Sequence, residues 1–518
     1  MVKTQKRRRS SHLILKPRGT FNPRVQKVGP EHFGIVSVDC AKARSKWMLA
    51  DFYGNVLIPP TVVEHNRADC EATVARLRQA MQERALHDVL VAVERTGRYH
   101  HVILNALAAA GLDVRVVHPF ATQQFRLPAD PGYKTDDTDL AAIHRAAVNG
   151  FALQEVPQDP SWTQLQLLAR HRRNWVRKAS TLCCQIRESL HAALPGYAAC
   201  FESLWASQIA FPLFRRIRTA ADVQQAGREG LSAWLKEDQV RFQKATLDKL
   251  LAWAATAPAG DSAAEMHHRI ALALEDDRER KEREIRVMER DLAARLARTP
   301  YVRLLSIPGI NVVSAAEYAG EMGPITNYAH PKNITGRAGL CPSRAQSDQV
   351  DRPDGRLRRC ANRTLRFAIL QIADNLIACN AYFGKKAAAW KAAGKDARHI
   401  RVCVGSRFVR ISYALVAGGQ FYHHPLARDR SYLLEKLMTF HVKHETPMDP
   451  TLADLQATIL HVPRSEYAAE AAPLRRELDA IEQDRRRGPQ PLGKILPLVL
   501  ARLGIAVQSG ESGARDLT

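Results

Sequence analysis

Asp88-Val89-Leu90-Val91-Ala92-Val93-Glu94 is an unbroken apolar run closed at each end by an acid. A short run with no polar alternation is the pattern of a strand buried on both faces. Upstream, Phe33 to Val38 is a second such run and ends in Asp39. Trp47 to Phe52 follows, and Val56 to Ile58 comes after the turn signal Gly54-Asn55, which predicts a hairpin or meander. Helical spacing is predicted over 68–84, 99–110 and about 135–148, with a further strand from Asp113 to Val117. Three strands followed by alternating helix and strand give an α/β layer on a mixed sheet, which is also the order of an RNase H-like domain.

Within that order four carboxylates fall at informative places. Asp39 and Glu94 each end an apolar strand, where a polar group needs a reason. Asp136 and Asp139 stand three apart at a helix start and so share one helical face. Strand ends of an α/β sheet are where side chains converge on a cleft. Carboxylates held close together repel unless a divalent cation lies among them, and a pair of bridged cations suits phosphoryl transfer. Each residue also has a plain structural reading: Asp139 as a first-turn acid, Asp136 as a cap, Glu94 as a partner of Arg95 or Arg98. Asp137 is read as facing solvent.

The bulk composition points to the same kind of partner. Lys and Arg number 76 against 53 Asp and Glu, a net charge of +23, which favours binding to a polyanion. Nine scattered cysteines include no C-x-x-C pair, which argues against zinc and against a disulfide framework. The basic start, Lys3 to Arg9, leads only to the short apolar run Leu13 to Leu15, unlike a signal peptide. Even Ile495 to Val507 is interrupted by Arg502, so no membrane span is predicted and the cytoplasm is the expected location.

Outward from the α/β layer, residues 1–30 carry many cations and few large apolar residues, and read as a flexible basic arm. The α/β domain is assigned to 31–155. Over 156–300, two long charged helices at 161–194 and about 264–297 flank a less regular insertion, which suggests an antiparallel coiled-coil arm serving as spacer or dimerisation strut. A mainly helical domain over 301–425 opens with Leu304-Leu305-Ser306-Ile307-Pro308-Gly309-Ile310, a helix-hairpin-helix pattern whose helix start can hold a phosphate. An apolar helix is predicted from Leu365 to Ile377. Residues 426–518 read as a helical extension with a tail and receive no chemistry.

Val38-Asp39, Val93-Glu94-Arg95-Thr96-Gly97 and Lys134-Thr135-Asp136-Asp137-Thr138-Asp139 resemble the three N-terminal motifs of the DEDD insertion-sequence transposases. That family is related to the Piv DNA invertase and includes bridge-RNA-guided recombinases. The resemblance covers roughly 33–150 and 300–420. It implies a RuvC-like N-terminal domain whose metal-binding catalytic tetrad falls on Asp39, Glu94, Asp136 and Asp139, with Mg²⁺ or Mn²⁺ as cofactor, since oxygen ligands accept both.

Farther on, Gly339-Leu340-Cys341-Pro342 leads to Gln346-Ser347, similar to the family's C-terminal motif, in which the serine becomes linked to a DNA phosphate. Carried over, that nucleophile is Ser347. Arg344, Arg352, Arg356, Arg358, Arg359, Arg363 and Arg366 lie near it in sequence and can neutralise phosphates, or else only hold backbone. Asp348 departs from the pattern, because a glycine commonly follows the serine. The resemblance further implies DNA substrates, a structured guide RNA and a homo-oligomer. Two other readings stay open on the residues: a hydrolytic, metal-dependent nuclease of the junction-resolvase type, and an inactive nucleic-acid-binding relative.

Overall fold

The structure, a computed structural model, describes residues 18–129, 131–155, 159–343, 345–347, 350–352, 355–359, 361–420, 422 and 430–462. The chain divides into two compact units, Met1–Pro157 and Gln158–Thr518.

The first unit runs α1 (Asn22–Val28), β1 (Phe33–Cys40), β2 (Arg44–Asp51), β3 (Val56–Glu64), α2 (Arg67–Glu83), β4 (Asp88–Glu94), α3 (His100–Ala109), β5 (Asp113–Val117), α4 (Pro119–Arg126), α5 (Asp136–Val148) and β6 (Ala152–Leu153). Its sheet has the order β3-β2-β1-β4-β5-β6. β1, β2 and β3 pair antiparallel, β4 and β5 run parallel to β1, and β6 returns antiparallel. This mixed arrangement is consistent with an RNase H-like domain. β4 forms the centre because both its faces are apolar: Val89, Val91 and Val93 pack towards α2 and α3, Leu90 and Ala92 towards α1 and α5. The Gly54-Asn55 turn closes as expected. Gly54 takes a φ of +97°, and the Asp51 carboxylate accepts from the Asn55 amide nitrogen at 2.9 Å.

One expectation is corrected here. Residues 18–29 lie within the stretch read as a flexible arm, yet they fold. Phe21 is 2% exposed and stacks on Phe33 with ring centroids 5.1 Å apart. Arg24 donates from Nε to Asp88 at 2.8 Å and also pairs with Asp113, so α1 is tied to the starts of two strands. The charge count hid one aromatic anchor and one cation with two buried-side partners. Residues 1–17 lie outside the described residues. Phe21→Ala is expected to cost about 3–5 kcal/mol, read as an earlier urea transition of the first unit by tryptophan fluorescence. A loss under about 1 kcal/mol would return this segment to the status of an arm.

The second unit is helical apart from one small hairpin. Long helices α6 (Pro160–Ala193) and α10 (Ala264–Ala297) pack on each other. Between them lie α7 (Ala210–Arg216), α8 (Ala220–Glu237) and α9 (Lys244–Thr256). The insertion is therefore not irregular. Tyr197, Phe211, Phe214, Leu231, Leu247 and Leu250 build a core of their own against the ends of α6 and α10. The apolar residues of the insertion are divided among three helices, and α8 is kinked at Gly227, so no single long periodic stripe announces them.

Next come α11 (Val312–Met322), α12 (Pro331–Ala338), β7 (Ala345–Ser347), β8 (Val350–Arg352), α13 (Arg363–Cys379), α14 (Ala381–Ala392), α15 (Ala397–Ala417), α16 (Arg430–Lys443) and α17 (Met448–His461). The hairpin before α11 opens with a 3-10 turn, Pro300–Ser306, in place of a full helix. Its free carbonyls are answered from far along the chain: Lys436 on α16 donates from Nζ to Leu305, Ile307 and Ile310 at 2.8, 2.8 and 2.9 Å. Arg303 donates to the His461 carbonyl at 2.6 Å, and Arg298 to the Asp454 carboxylate at 2.9 Å. The described part of the extension, residues 430–462, thus packs on the domain before it. Among the described residues no helix is long and apolar enough to cross a membrane.

Candidate active site

The pairing of β1 with β4 sets Val38 opposite Val93, so the next residues, Asp39 and Glu94, lie on adjacent strands at their carboxyl ends, still paired to β2 and β5. α5 brings the other two acids. Thr135 caps that helix by accepting from the Thr138 amide, and the Thr138 hydroxyl answers to the Thr135 backbone. Asp136, Asp137 and Asp139 therefore occupy the first turn, where the helix dipole favours negative charge. The position of α5 is fixed by its far end, where His144 bonds the Asp51 carbonyl of β2 at 2.8 Å.

Asp39 feels the charges of Asp139 and Asp136, and Glu94 those of Asp39 and Asp139, so the predicted carboxylates lie in one neighbourhood, although no three of them place oxygens within 4.8 Å of one another. Burial pushes Asp39 above the usual carboxylate range, and the charges of Asp139 and Asp136 push it further. Glu94 is pushed up to about 7, first by burial and then by the charges of Asp39 and Asp139; Thr122 and Lys134 pull weakly the other way. A site that raises its own acids in this way is short of positive charge. Asp139 is 6% exposed and pairs with Arg126 of α4, while Asp136 is exposed. Asp137 is exposed as expected but is not idle, since it pairs with Lys46 of β2 at 2.6 Å.

Arg126 was not legible in the sequence. It sits in a helix that apolar spacing did not announce, thirteen residues from its partner. An all-oxygen donor set, crowded and electrostatically unsatisfied, fits a hard divalent cation. Arg126, paired with Asp139, and Lys134, which lowers Asp39 and Glu94, offset part of that negative charge.

In the second unit, Ser347 ends β7 and pairs with Val350 of β8. The side chains of Ser347 and Arg352, and all of Arg344 and Asp348, lie outside the described residues. Arg356, Arg358, Arg359 and Arg363 are exposed. Arg366 differs from its neighbours: it donates from Nε to the Ala338 carbonyl at 2.7 Å and also bonds the Arg358 carbonyl. It holds backbone, as the plain reading of these arginines allowed, and is corrected from the phosphate-facing group. Behind this loop, Asn362 caps α13 and donates to the buried Glu321 at 2.9 Å. Glu321 also receives Arg170 of α6 at 2.6 and 2.9 Å.

The start of α11, capped by Asn311, opens on a cavity of about 960 Å³ whose walls include Arg177, Arg286 and Lys443. Those three cations are exposed and make no ion pair among the described residues.

Comparison with known proteins agrees with this geometry. A transposase family model, the DEDD transposase of IS110 type, matches residues 36–195, which include all four carboxylates. A second, the transposase IS116/IS110/IS902 family, matches residues 301–388, which include Ser347 and the arginine-rich loop. No curated protein matches the chain significantly. The chain belongs to the IS110-type DEDD transposases.

Proposed function

We propose that this transposase cuts and rejoins DNA through a divalent cation held by Asp39, Glu94, Asp136 and Asp139 and a phosphate ester formed on Ser347. The observation that carries the reading is the placing of Asp39 and Glu94 on adjacent strands, where burial, and then the charges of neighbouring carboxylates that include Asp139, raise both. A cation bound there, Mg²⁺ or Mn²⁺, supplies charge stabilisation to the phosphate oxygens. The chain's own groups do the rest. Glu94 and Asp39, set by the sheet, and Asp139, held by Arg126, keep the donor oxygens in place before DNA arrives.

The Ser347 oxygen bonds to phosphorus as a deoxyribose oxygen leaves, and the serine proton is transferred to that leaving oxygen or to solvent. Attack by a hydroxyl of the partner strand reverses the step, frees serine and conserves the ester bond energy. Exposed Arg356, Arg358, Arg359 and Arg363 are suited to neutralising backbone phosphates, and the cations around α11 to receiving a further one.

Such contacts read shape and charge and not base sequence. A structured RNA that selects both DNA partners by pairing suits a protein of this kind, acting in the cytoplasm as a homo-oligomer with α6 and α10 as assembly struts.

The test is a covalent-adduct assay with the protein, the non-coding DNA flanking its gene and Mg²⁺, resolved on a denaturing gel. Wild type is expected to trap protein on DNA. Ser347→Ala should lose the adduct entirely, and Asp39→Ala should lose adduct and cleavage while keeping nucleic-acid binding. Cleavage that persists in Ser347→Ala would make the protein a hydrolytic nuclease, and binding without any Mg²⁺-dependent cleavage would make it an inactive relative.

A further inference from the structure

A second cluster of metal-binding type lies in the first unit, built from different chemistry. His100 and His101 open α3, just past the Arg95-Thr96-Gly97 turn that follows Glu94, and Glu155 is the last described residue of that unit. One ligand atom from each of the three lies within 4.8 Å of the other two. The imidazoles stand side by side, with ring centroids 4.2 Å apart.

His100 is the telling member. It is fully buried, and neither ring nitrogen makes a well-formed hydrogen bond, the Thr96 backbone giving only a weak one. A buried polar side chain with both nitrogens so poorly answered costs a few kcal/mol and calls for a water or an ion. Burial, and then the neighbouring His101, lower its affinity for a proton, so it stands as neutral imidazole, the form that ligates metals. Among the described residues, the cation paired with Glu155 is Arg95, at a loose 3.8 Å.

We propose that His100, His101 and Glu155 bind a divalent transition metal of the zinc class, with a water completing the coordination. Two imidazoles and one carboxylate form a donor set that selects zinc, nickel or cobalt over magnesium. The carboxylate tetrad, with oxygen donors alone, makes the opposite choice. The absence of C-x-x-C pairs does not bear on this site, since no cysteine takes part. The ion would join the start of α3 to the segment after β6, on either side of the turn that leaves Glu94, and so act as a positioning clamp for that strand end.

The test uses the full-length protein, stripped with a chelator and dialysed, and Zn²⁺ alone as probe in calorimetry, with Co²⁺ absorption as a second reading. One equivalent of Zn²⁺ is expected to bind in the presence of millimolar Mg²⁺. His101→Ala and Glu155→Gln should each weaken that binding at least tenfold, while Asp39→Asn leaves it unchanged. Circular dichroism of the metal-free variants, matching wild type, shows that they fold. Equal Zn²⁺ affinity in wild type and both variants would overturn the proposal. So would a loss of binding in Asp39→Asn, which would assign the ion to the tetrad.

Discussion

Glu94→Gln is expected to stop strand cleavage and, at the same time, to stabilise the metal-free protein near neutral pH. The first effect follows from the proposed role, and a fall of roughly a thousandfold is expected for loss of one group that acts in the transition state. The second follows from the site's electrostatics. Glu94 is held up at about 7 by burial and by Asp39 and Asp139, against an ordinary value of 4.5.

An acid raised in the folded state keeps its proton there after the unfolded chain has lost it. The folded state then binds more protons, so stability is fully present below about 4.5 and is lost as pH rises towards 7. Allowing for solvent screening of a partly exposed group, the loss is about 1–2 kcal/mol. In urea titrations of chelated protein, wild type should weaken between pH 5 and 7.5, and Glu94→Gln should weaken distinctly less. Added Mg²⁺ should restore wild type by mass action and help the variant less. Equal Mg²⁺ stabilisation of the two proteins would remove Glu94 from the cation site.

Glu321→Ala should produce the largest loss of stability in the helical unit. Glu321 is 2% exposed on α11 and joins three elements: Arg170 of α6 grips both its oxygens, and the α13 cap Asn362 donates to one of them. Removing the carboxylate leaves the exposed Arg170 to water and the Asn362 amide without its acceptor, at a cost of about 1.5–3 kcal/mol. Glu321→Gln preserves shape and one acceptor oxygen and should cost less, about 1 kcal/mol. Hydrogen exchange gives a local reading: the first turn of α13, including Leu365, should exchange faster in the alanine variant. An unchanged α13 in a destabilised protein would show that Asn362 holds the cap without help.

What the sequence revealed tracks how local each signal is. The strands at 33–40 and 88–94 and the helix at 136–148 were legible because burial on a sheet and a capped first turn leave marks within a few residues. The shared neighbourhood of Asp39, Glu94, Asp136 and Asp139 could be read from strand ends and a helix start. Arg126 and the trio His100, His101 and Glu155 could not, because their significance lies in which distant segments fold beside them. Phe21 and Arg24 were hidden by the basic composition around them. The helices at 210–256 were missed for a further reason: three elements share one core, and the longest of them, α8, is interrupted by a kink at Gly227, where φ is +59°.

The bonds from Lys436 to the hairpin carbonyls have a consequence for how the chain matures. Leu305 leaves the ribosome 131 residues before the side chain that satisfies it. At about 5–20 residues per second, the delay is roughly 7–25 s. During that interval the hairpin's carbonyls face water, and the floor of the α11 cavity is unfinished. A nascent or prematurely terminated chain carries the carboxylates and the serine yet lacks this final fastening. Only when synthesis has passed α16 are these carbonyls answered and this wall of the α11 cavity complete.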